Sequence, residues 1–297
     1  MSLPFRNMLP RSIACLLFTL LLSASQALSA QPMDDDLRRS PRRALNAAFE
    51  KGNLMVALSG VEWRPGLNMA VASLETGKTI SLNVSLLANT NYIFIAATAE
   101  DTEDTDLYLR DPSGLIIAED REQDATPIIE FQTDSAGTYQ LQVHLVSSRH
   151  SREFVALSLL RGAGRSIPEG EYREVATSFF NSVNDVKAAY SETEWQSAPT
   201  QWCAFGYSLS ENEGVSLIGL RPGAGPKIFA ATGNRNLRNI GLYLANEMQR
   251  IVALDNGPDA FPLISYDCSS GDAFDLRVEV ERSKSPSFLL VGILKRK

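Results

Sequence analysis

The chain has 297 residues and a net charge of −7, with 28 Lys and Arg against 35 Asp and Glu. A protein this acidic lacks the basic surface that phosphate backbones require, so nucleic acid is not an expected partner. The chain has only two His, which argues against a His-rich zinc or iron site.

The N-terminal residues have the features of a secretory signal peptide. Arg6 and Arg11 precede an apolar run over residues 13–22, and small residues follow between Ser23 and Ala30. The run is too short for a membrane-spanning helix, which needs roughly 20 residues. We therefore expect cleavage between Ala27 and Ala30, a periplasmic or secreted mature chain, and no stable membrane insertion.

Two amphipathic helices are predicted. Ser40 and Pro41 resemble an N-cap and a first helical residue, and the apolar pattern continues until the helix stops or bends near Gly52, before Gly60. Residues 169–190 carry apolar side chains at steps of three and four, which indicates a second helix. A Glu-Trp pair follows each helix, ending at Trp63 and at Trp195.

The rest of the chain is an internal repeat. A shift of 135 residues aligns residues 73–146 with 208–281, without a gap and with 20 identities. Residues 138–145 alternate apolar and polar side chains, and residues 273–280 keep the apolar positions but not the polar ones. Packing, and not a duplicated site, therefore accounts for the repeat.

Short alternating segments separated by turn residues predict eight strands in each unit. In the first unit they cover residues 69–74, 79–85, 92–98, 106–109, 115–118, 127–131, 138–146 and 154–160. In the second they cover residues 204–209, 215–220, 227–232, 241–244, 250–253, 262–266, 273–280 and 288–294. Residues 161–170, rich in glycine and charge, mark the boundary between the units.

The first unit resembles a known family. The segments DTDLYLRDPSG (residues 104–114), AED (118–120) and AGTYQLQV (136–143) are similar, in that order, to the bacterial pre-peptidase C-terminal domain. The resemblance spans roughly residues 69–160. It implies a small jelly-roll-type β-sandwich, commonly appended to secreted peptidases and usually without catalytic residues. In the second unit Gly241 replaces Asp106 and Asn246 replaces Asp111, so that unit is a divergent copy.

The predicted fold is therefore mainly β: two tandem jelly-roll-like β-sandwich domains, each preceded by an amphipathic helix. Residues 1–30 form the signal peptide, 31–162 the first helix and sandwich, and 163–297 the second. Cys203 lies just before the first strand of the second sandwich and Cys268 just after its sixth, in a compartment where disulfides persist, and we predict that they form a disulfide.

The acidic residues could form a calcium site, or they could stabilise turns. Asp104 and Asp106 precede one strand, and Asp120 and Asp124 lie in a loop, so their oxygens could serve as calcium ligands. Acidic solvated loops are the alternative. Asp120 and Asp124 recur as Asp255 and Asp259; we favour a role in holding a turn over one as paired catalytic carboxylates.

No motif of a zinc protease, a phosphate-binding loop or a serine nucleophile elbow occurs, so we assign no catalytic residue. We expect a non-catalytic binding or accessory protein whose partner is a protein or an envelope polymer. A carbohydrate-binding protein is one alternative, with Tyr108, Tyr243, Trp195 and Trp202 as contact aromatics, although Trp195 suits a helix anchor better. An enzyme with an atypical site between the two units is the other.

Overall fold

The computed structural model describes residues 40–98, 102–190, 192–196 and 202–296, so the predicted signal peptide lies outside the described residues. Helix α1 is Pro41–Ser59 and helix α2 is Glu169–Ala189. The strands of the first half are β1 (Glu62–Trp63), β2 (Gly66–Glu75), β3 (Thr79–Leu86), β4 (Thr90–Thr98), β5 (Thr102–Arg110), β6 (Ile116–Asp120), β7 (Ile128–Thr133), β8 (Gly137–Ser148) and β9 (Arg152–Arg161). Those of the second half are β10 (Thr193–Trp195), β11 (Trp202–Leu209), β12 (Gly214–Leu220), β13 (Gly225–Gly233), β14 (Leu237–Asn246), β15 (Ile251–Asp255), β16 (Leu263–Cys268), β17 (Phe274–Ser283) and β18 (Ser287–Arg296).

The strands form one large sheet and two small ones. The large sheet has 10 strands, of which eight follow the order β16-β13-β18-β11-β2-β9-β4-β7, while β1 pairs with β9 and β10 with β18. The small sheets have the orders β3-β8-β5-β6 and β12-β17-β14-β15. Each small sheet covers one half of the large sheet. The expected mainly β sandwich fold, with a helix before each sandwich, is confirmed.

The two halves are joined by the antiparallel pairing of β2 with β11, which we call the seam. Its register places Ala70 opposite Phe205 and Val71 opposite Ala204. The large sheet therefore runs through both sandwiches without a break. Period-2 patterning predicts the strands, but it does not reveal that one unit pairs with the other.

Two apolar cores cover the two faces of the large sheet. One lies between the large sheet and the small sheets, and it continues across the seam from Leu141 in the first half to Leu276 in the second. The other lies between the large sheet and both helices and includes Phe49 and Phe179. Strands β2 and β11 are consequently buried on both faces along almost their whole length.

Helix α1 differs from its prediction at Gly52. The helix continues through Gly52 and ends at Gly60, which adopts the left-handed conformation with φ 69°. Gly52 is buried because the Trp63 ring lies against it, and a Cβ there would come within 2.4 Å of that ring. Trp63 stacks on Phe49 and donates a hydrogen bond to Asn53. The glycine makes room for the tryptophan that holds the helix to the sheet.

The predicted disulfide is wrong, because Cys203 and Cys268 are both free. Cys203 in β11 belongs to the core under the helices, whereas Cys268 at the end of β16 belongs to the core between the sheets. Strands β11 and β16 are separated by β18 and β13, so the two strands lie roughly 14 Å apart at the usual strand spacing, and the cysteines are also out of register along them. A disulfide needs Cα atoms about 4.4–6.8 Å apart.

Candidate functional site

A groove lies between the two small sheets, above the seam, and we call it the central groove. Strand β3 of the first small sheet and strand β12 of the second form its walls, and β2 and β11 contribute its floor. Its volume is about 780 Å³. The lining residues come from both halves: Arg64, Pro65, Gly66, Leu67, Ser81, Leu82, Asn83, Val84, Ser85, Thr138, Gln140, Trp202, Phe205, Val215, Ser216, Leu217, Ile218, Gly219, Leu220 and Arg221.

Both walls are edge strands, since β3 and β12 each pair with a single strand of their sheet. Two hydrogen bonds show which residues face the paired strand. The Leu145 amide of β8 donates to the Lys78 carbonyl just before β3, and the Val280 amide of β17 donates to the Glu213 carbonyl just before β12. Backbone groups of an antiparallel strand alternate in direction along it. Those of Ser81 and Ser85 in β3, and of Gly214 and Ser216 in β12, therefore point away from the paired strand and into the groove.

The β3 edge is largely covered by side chains of the floor. Trp202 Nε1 donates a hydrogen bond of 2.9 Å to the Ser81 carbonyl. Arg64 donates to the Ser85 carbonyl at 3.0 Å and to the Leu67 carbonyl at 2.7 Å. Two of the carbonyls that would accept from an added strand are therefore already used.

The β12 edge is uncovered in the part of the chain that the structure describes. Among the described residues, no side chain bonds to the groove-facing backbone of Ser216, the counterpart of Ser81. Beyond Leu217 the register shifts, at Gly219 with φ 72°, whose amide donates to Asp275 at 2.9 Å. The Ile218 side chain is 81% exposed at the rim. The strand thus presents an unpaired backbone and an apolar side chain together.

The charge of the groove is opposite to that of the chain. Its lining residues include two arginines and no Asp or Glu, whereas the whole chain carries −7. Burial lowers the pKa of Arg64, although the guanidinium stays protonated at neutral pH. The Arg221 side chain makes one long bond, of 3.4 Å, to the Gly271 carbonyl. In the described part of the chain neither arginine pairs with a carboxylate.

The two predicted contact tryptophans are buried. Trp202 forms part of the groove floor and is 5% exposed. Trp195 is 8% exposed and lies on the helix side of the large sheet, against Phe179 and Phe180. Trp195 therefore anchors α2 much as Trp63 anchors α1, and neither ring forms an open stacking platform.

Tyr108 and Tyr243 are partly exposed, and they lie on different small sheets, away from the groove. The Tyr108 hydroxyl donates to Asp106 at 2.7 Å, and burial together with that hydrogen bond raises its pKa to about 12. The Tyr243 hydroxyl donates to Glu281 at 3.1 Å, and its ring lies over Gly241. The structure does not bring these four aromatic residues together.

Aspartates stabilise the loop that both units share, which follows β6 in the first unit and β15 in the second. Asp120 accepts backbone hydrogen bonds from Glu122 and Ile128 at 3.1 and 2.7 Å. Asp255 accepts the two corresponding bonds at 3.1 and 2.8 Å. Asp124 and Asp259 each accept one from the residue two positions later. These carboxylates shape the turn, as the sequence favoured.

Asp104 and Asp106 lie in β5 beside that turn, where the Thr105 amide donates to the Asp124 carbonyl at 2.8 Å. Asp106 lies 3.4 Å from His144 Nδ1, while burial and the neighbouring Asp106 and Asp124 raise the pKa of Asp104. Within the described ranges, no group of three or more His, Cys, Asp or Glu side chains could hold a metal ion. The four aspartates do not meet as a ligand set.

A second depression, of about 460 Å³, lies between the helices. Its polar side chains largely pair with one another: Tyr172 donates to Asn46 at 2.7 Å, Arg42 donates to Thr177 at 3.2 Å, and Arg173 pairs with Glu169. It lacks the open backbone of β12, so the central groove is the better candidate site.

Sequence reasoning identified only Trp202 among the groove residues. The rest were missed because the groove exists only where the seam brings β3 and β12 to face each other. One signal was available: residues 154–160 and 288–294 are almost continuously apolar, which is typical of strands buried on both faces. That signal indicates a covered central sheet, although not its continuity between the units.

No protein-family model matches the chain, and no curated protein matches it. Solved structures show distant similarity. One is the periplasmic inhibitor of g-type lysozyme PliG from Aeromonas hydrophila (16% identity, TM-score 0.25, 34% of this chain and 94% of that chain). Others are the PBSX exported protein XepA (9%, 0.24, 75% and 84%) and the tandem CBM22 domains of Paenibacillus barcinonensis Xyn10C (10%, 0.22, 77% and 91%). At these scores the similarity carries no inference about what this chain binds.

No helix in the described ranges is long and apolar enough to cross a bilayer.

Proposed function

We propose that this chain is a non-catalytic binding protein of the periplasm or the extracellular space, and that the central groove binds a segment of a partner protein. One observation carries the proposal: residues of both halves line a single groove whose rim exposes Ile218. An unpaired strand edge in such a groove can pair with an extended segment of a partner protein.

The chemistry of the groove supports recognition over catalysis. Its lining residues supply hydroxyls, amides, two guanidiniums and apolar side chains. None of them is a His, Asp, Glu, Cys or Lys, so the lining supplies no common general base that would activate its serine hydroxyls. The pre-peptidase resemblance of the first unit agrees with an accessory role.

A protein partner fits better than a sugar chain. Carbohydrate recognition commonly uses exposed aromatic rings, and the groove aromatics Trp202 and Phe205 are only 5% and 1% exposed. An envelope polymer remains the second candidate, because Ser81, Asn83, Ser85 and Gln140 line one wall with groups that can bond sugar hydroxyls.

Photo-crosslinking tests the assignment of the groove. A photoreactive phenylalanine derivative replaces Ile218 in one protein and Leu115 in a control, since Leu115 is 67% exposed and does not line the groove. In living cells the first protein should form a discrete, protease-sensitive adduct and the second should not. Filling the groove with Ser85→Trp should remove the adduct, while Glu122→Trp, outside the groove, should keep it.

Equal adducts at both positions, or an adduct that survives Ser85→Trp, would contradict the proposal. An adduct that depends on the groove but resists proteases and is lost to a glycosidase would favour the envelope polymer.

A further inference from the structure

Resting on the proposed function, we infer that the groove takes an acidic segment in extended conformation, which adds as a strand to the open edge of β12. The inference concerns both the mode of binding and the chemistry of the partner. It follows from the unequal edges of the two walls and from the charge of the lining.

The two edges are equivalent by sequence but not in the structure. Ser81 and Ser216 are 135 positions apart, and the antiparallel pattern directs the backbone of each into the groove. Trp202 caps the Ser81 carbonyl and Arg64 caps that of Ser85, whereas no described residue bonds to the groove-facing amide or carbonyl of Ser216. A strand added inside the groove therefore finds its hydrogen-bond partners on β12.

Strand β12 lacks most of the usual protections of an edge, and its one bulge begins only after Leu217. Natural edge strands carry charges, prolines or covering elements that prevent pairing with another chain. The sequence of β12, GVSLIGL, contains no charge and no proline, and Ile218 projects into solvent. Such an edge is suited to an added strand, for which backbone bonds supply affinity and side chains supply specificity.

Charge complementarity selects an acidic segment. The lining has Arg64 and Arg221 and no carboxylate. The nearest acid to the β12 bulge, Asp275, already accepts bonds from the Gly219 amide and from Gln249. A partner bearing Glu or Asp would pair with the arginines, whereas a second copy of this chain would bring an uncharged β12 and two more arginines.

Fluorescence anisotropy with labelled octapeptides tests the inference on the whole mature protein. A peptide of alternating Val and Glu should bind, and the matched peptide of Val and Lys should not. Ser216→Pro removes the groove-facing amide of β12 and should weaken binding at least tenfold. Glu119→Pro, at an exposed position of the edge strand β6 outside the groove, should leave binding unchanged.

Two further arms make the result independent of how the proline variants fold. Two variants of the acidic peptide carry N-methyl groups on alternate amides, one on the odd-numbered and one on the even-numbered residues. One of the two should lose binding and the other should keep it, because only every second amide of an added strand points toward β12. Arg221→Glu should weaken binding, and Arg250→Glu, at an exposed site outside the groove, should not.

Equal binding of the acidic and basic peptides, or full affinity in both N-methylated sets, would overturn the inference. If polygalacturonate instead binds in a manner blocked by Ser85→Trp and no peptide does, the groove remains a binding site but strand addition is wrong. A dimer in sedimentation that Ser216→Pro dissociates would assign the β12 edge to a second copy.

Discussion

At the scale of residues, the side chains that stabilise the loops are the same in the two units, whereas the side chains that face solvent differ. Asp120 and Asp255 make the same pair of backbone bonds in the two copies. Tyr108, by contrast, bonds to Asp106, whereas Tyr243 bonds to Glu281 across the space that Gly241 leaves. The repeat is therefore maintained by turns and cores and not by a common surface site.

The first prediction concerns the aspartates of the turn. Asp120→Ala and Asp255→Ala should each lower the free energy of unfolding by about 1–3 kcal/mol, because two backbone amides lose their acceptor. Urea denaturation measures this, with Glu122→Ala as the control.

The melting temperature should be the same in excess calcium and in chelator. An increase with calcium that Asp120→Ala removes would show a metal site instead of a turn.

The second prediction concerns the glycine under Trp63. Gly52→Ala should destabilise the protein by about 1–3 kcal/mol, because the new methyl group would overlap the buried ring and force it to shift. Gly170→Ala in α2 has no atom within 4 Å of the added Cβ and should be neutral or slightly stabilising. Equal effects at the two helical glycines would contradict this packing.

At the scale of elements, the strands were predictable and their neighbours were not. Each of the sixteen predicted strands corresponds to an observed one, because alternation and turn residues are local signals. Pairing across the seam joins residues 66–72 to 202–208, and nothing local encodes it. The disulfide prediction was wrong for the same reason. The strand order places β18 and β13 between the two cysteines, and the cysteines lie on opposite faces of one sheet.

The third prediction concerns the connection that precedes α2. Arg165 donates two bonds of 3.0 Å to the Glu213 carboxylate, which lowers the pKa of Glu213 from its usual 4.5. A carboxyl with a depressed folded pKa stabilises the protein above the unfolded pKa, and this contribution is lost as pH falls through the folded value.

Glu213→Gln should therefore lower the urea midpoint at neutral pH and flatten its decline below about pH 4.5. Glu211→Gln, two residues earlier and exposed, should change neither. A decline in acid that is identical in the wild type and Glu213→Gln would show that this pair makes no pH-dependent contribution.

At the scale of the whole molecule, the two units share a sheet and a core. The core between the sheets includes residues from both halves, and the described part of the chain forms one compact unit. The central groove is a consequence of this union, because neither sandwich alone has both walls. A duplication that produced two separate domains would have produced no groove.

The fourth prediction follows from the shared core. Calorimetry of the mature protein should show a single unfolding transition with matching calorimetric and van't Hoff enthalpies, since neither half can lose its sheet without exposing the seam. Two resolved transitions, each altered only by substitutions in its own half, would mean that the sandwiches fold separately.

The most direct test of the account is amide hydrogen exchange over the whole protein, with and without the acidic Val-Glu octapeptide. Binding should slow exchange at Ser216 and its neighbours in β12, with little change at Ser81 or in the two helices. Protection confined to the helices or to the outer faces of the small sheets would place the binding site elsewhere and contradict the account.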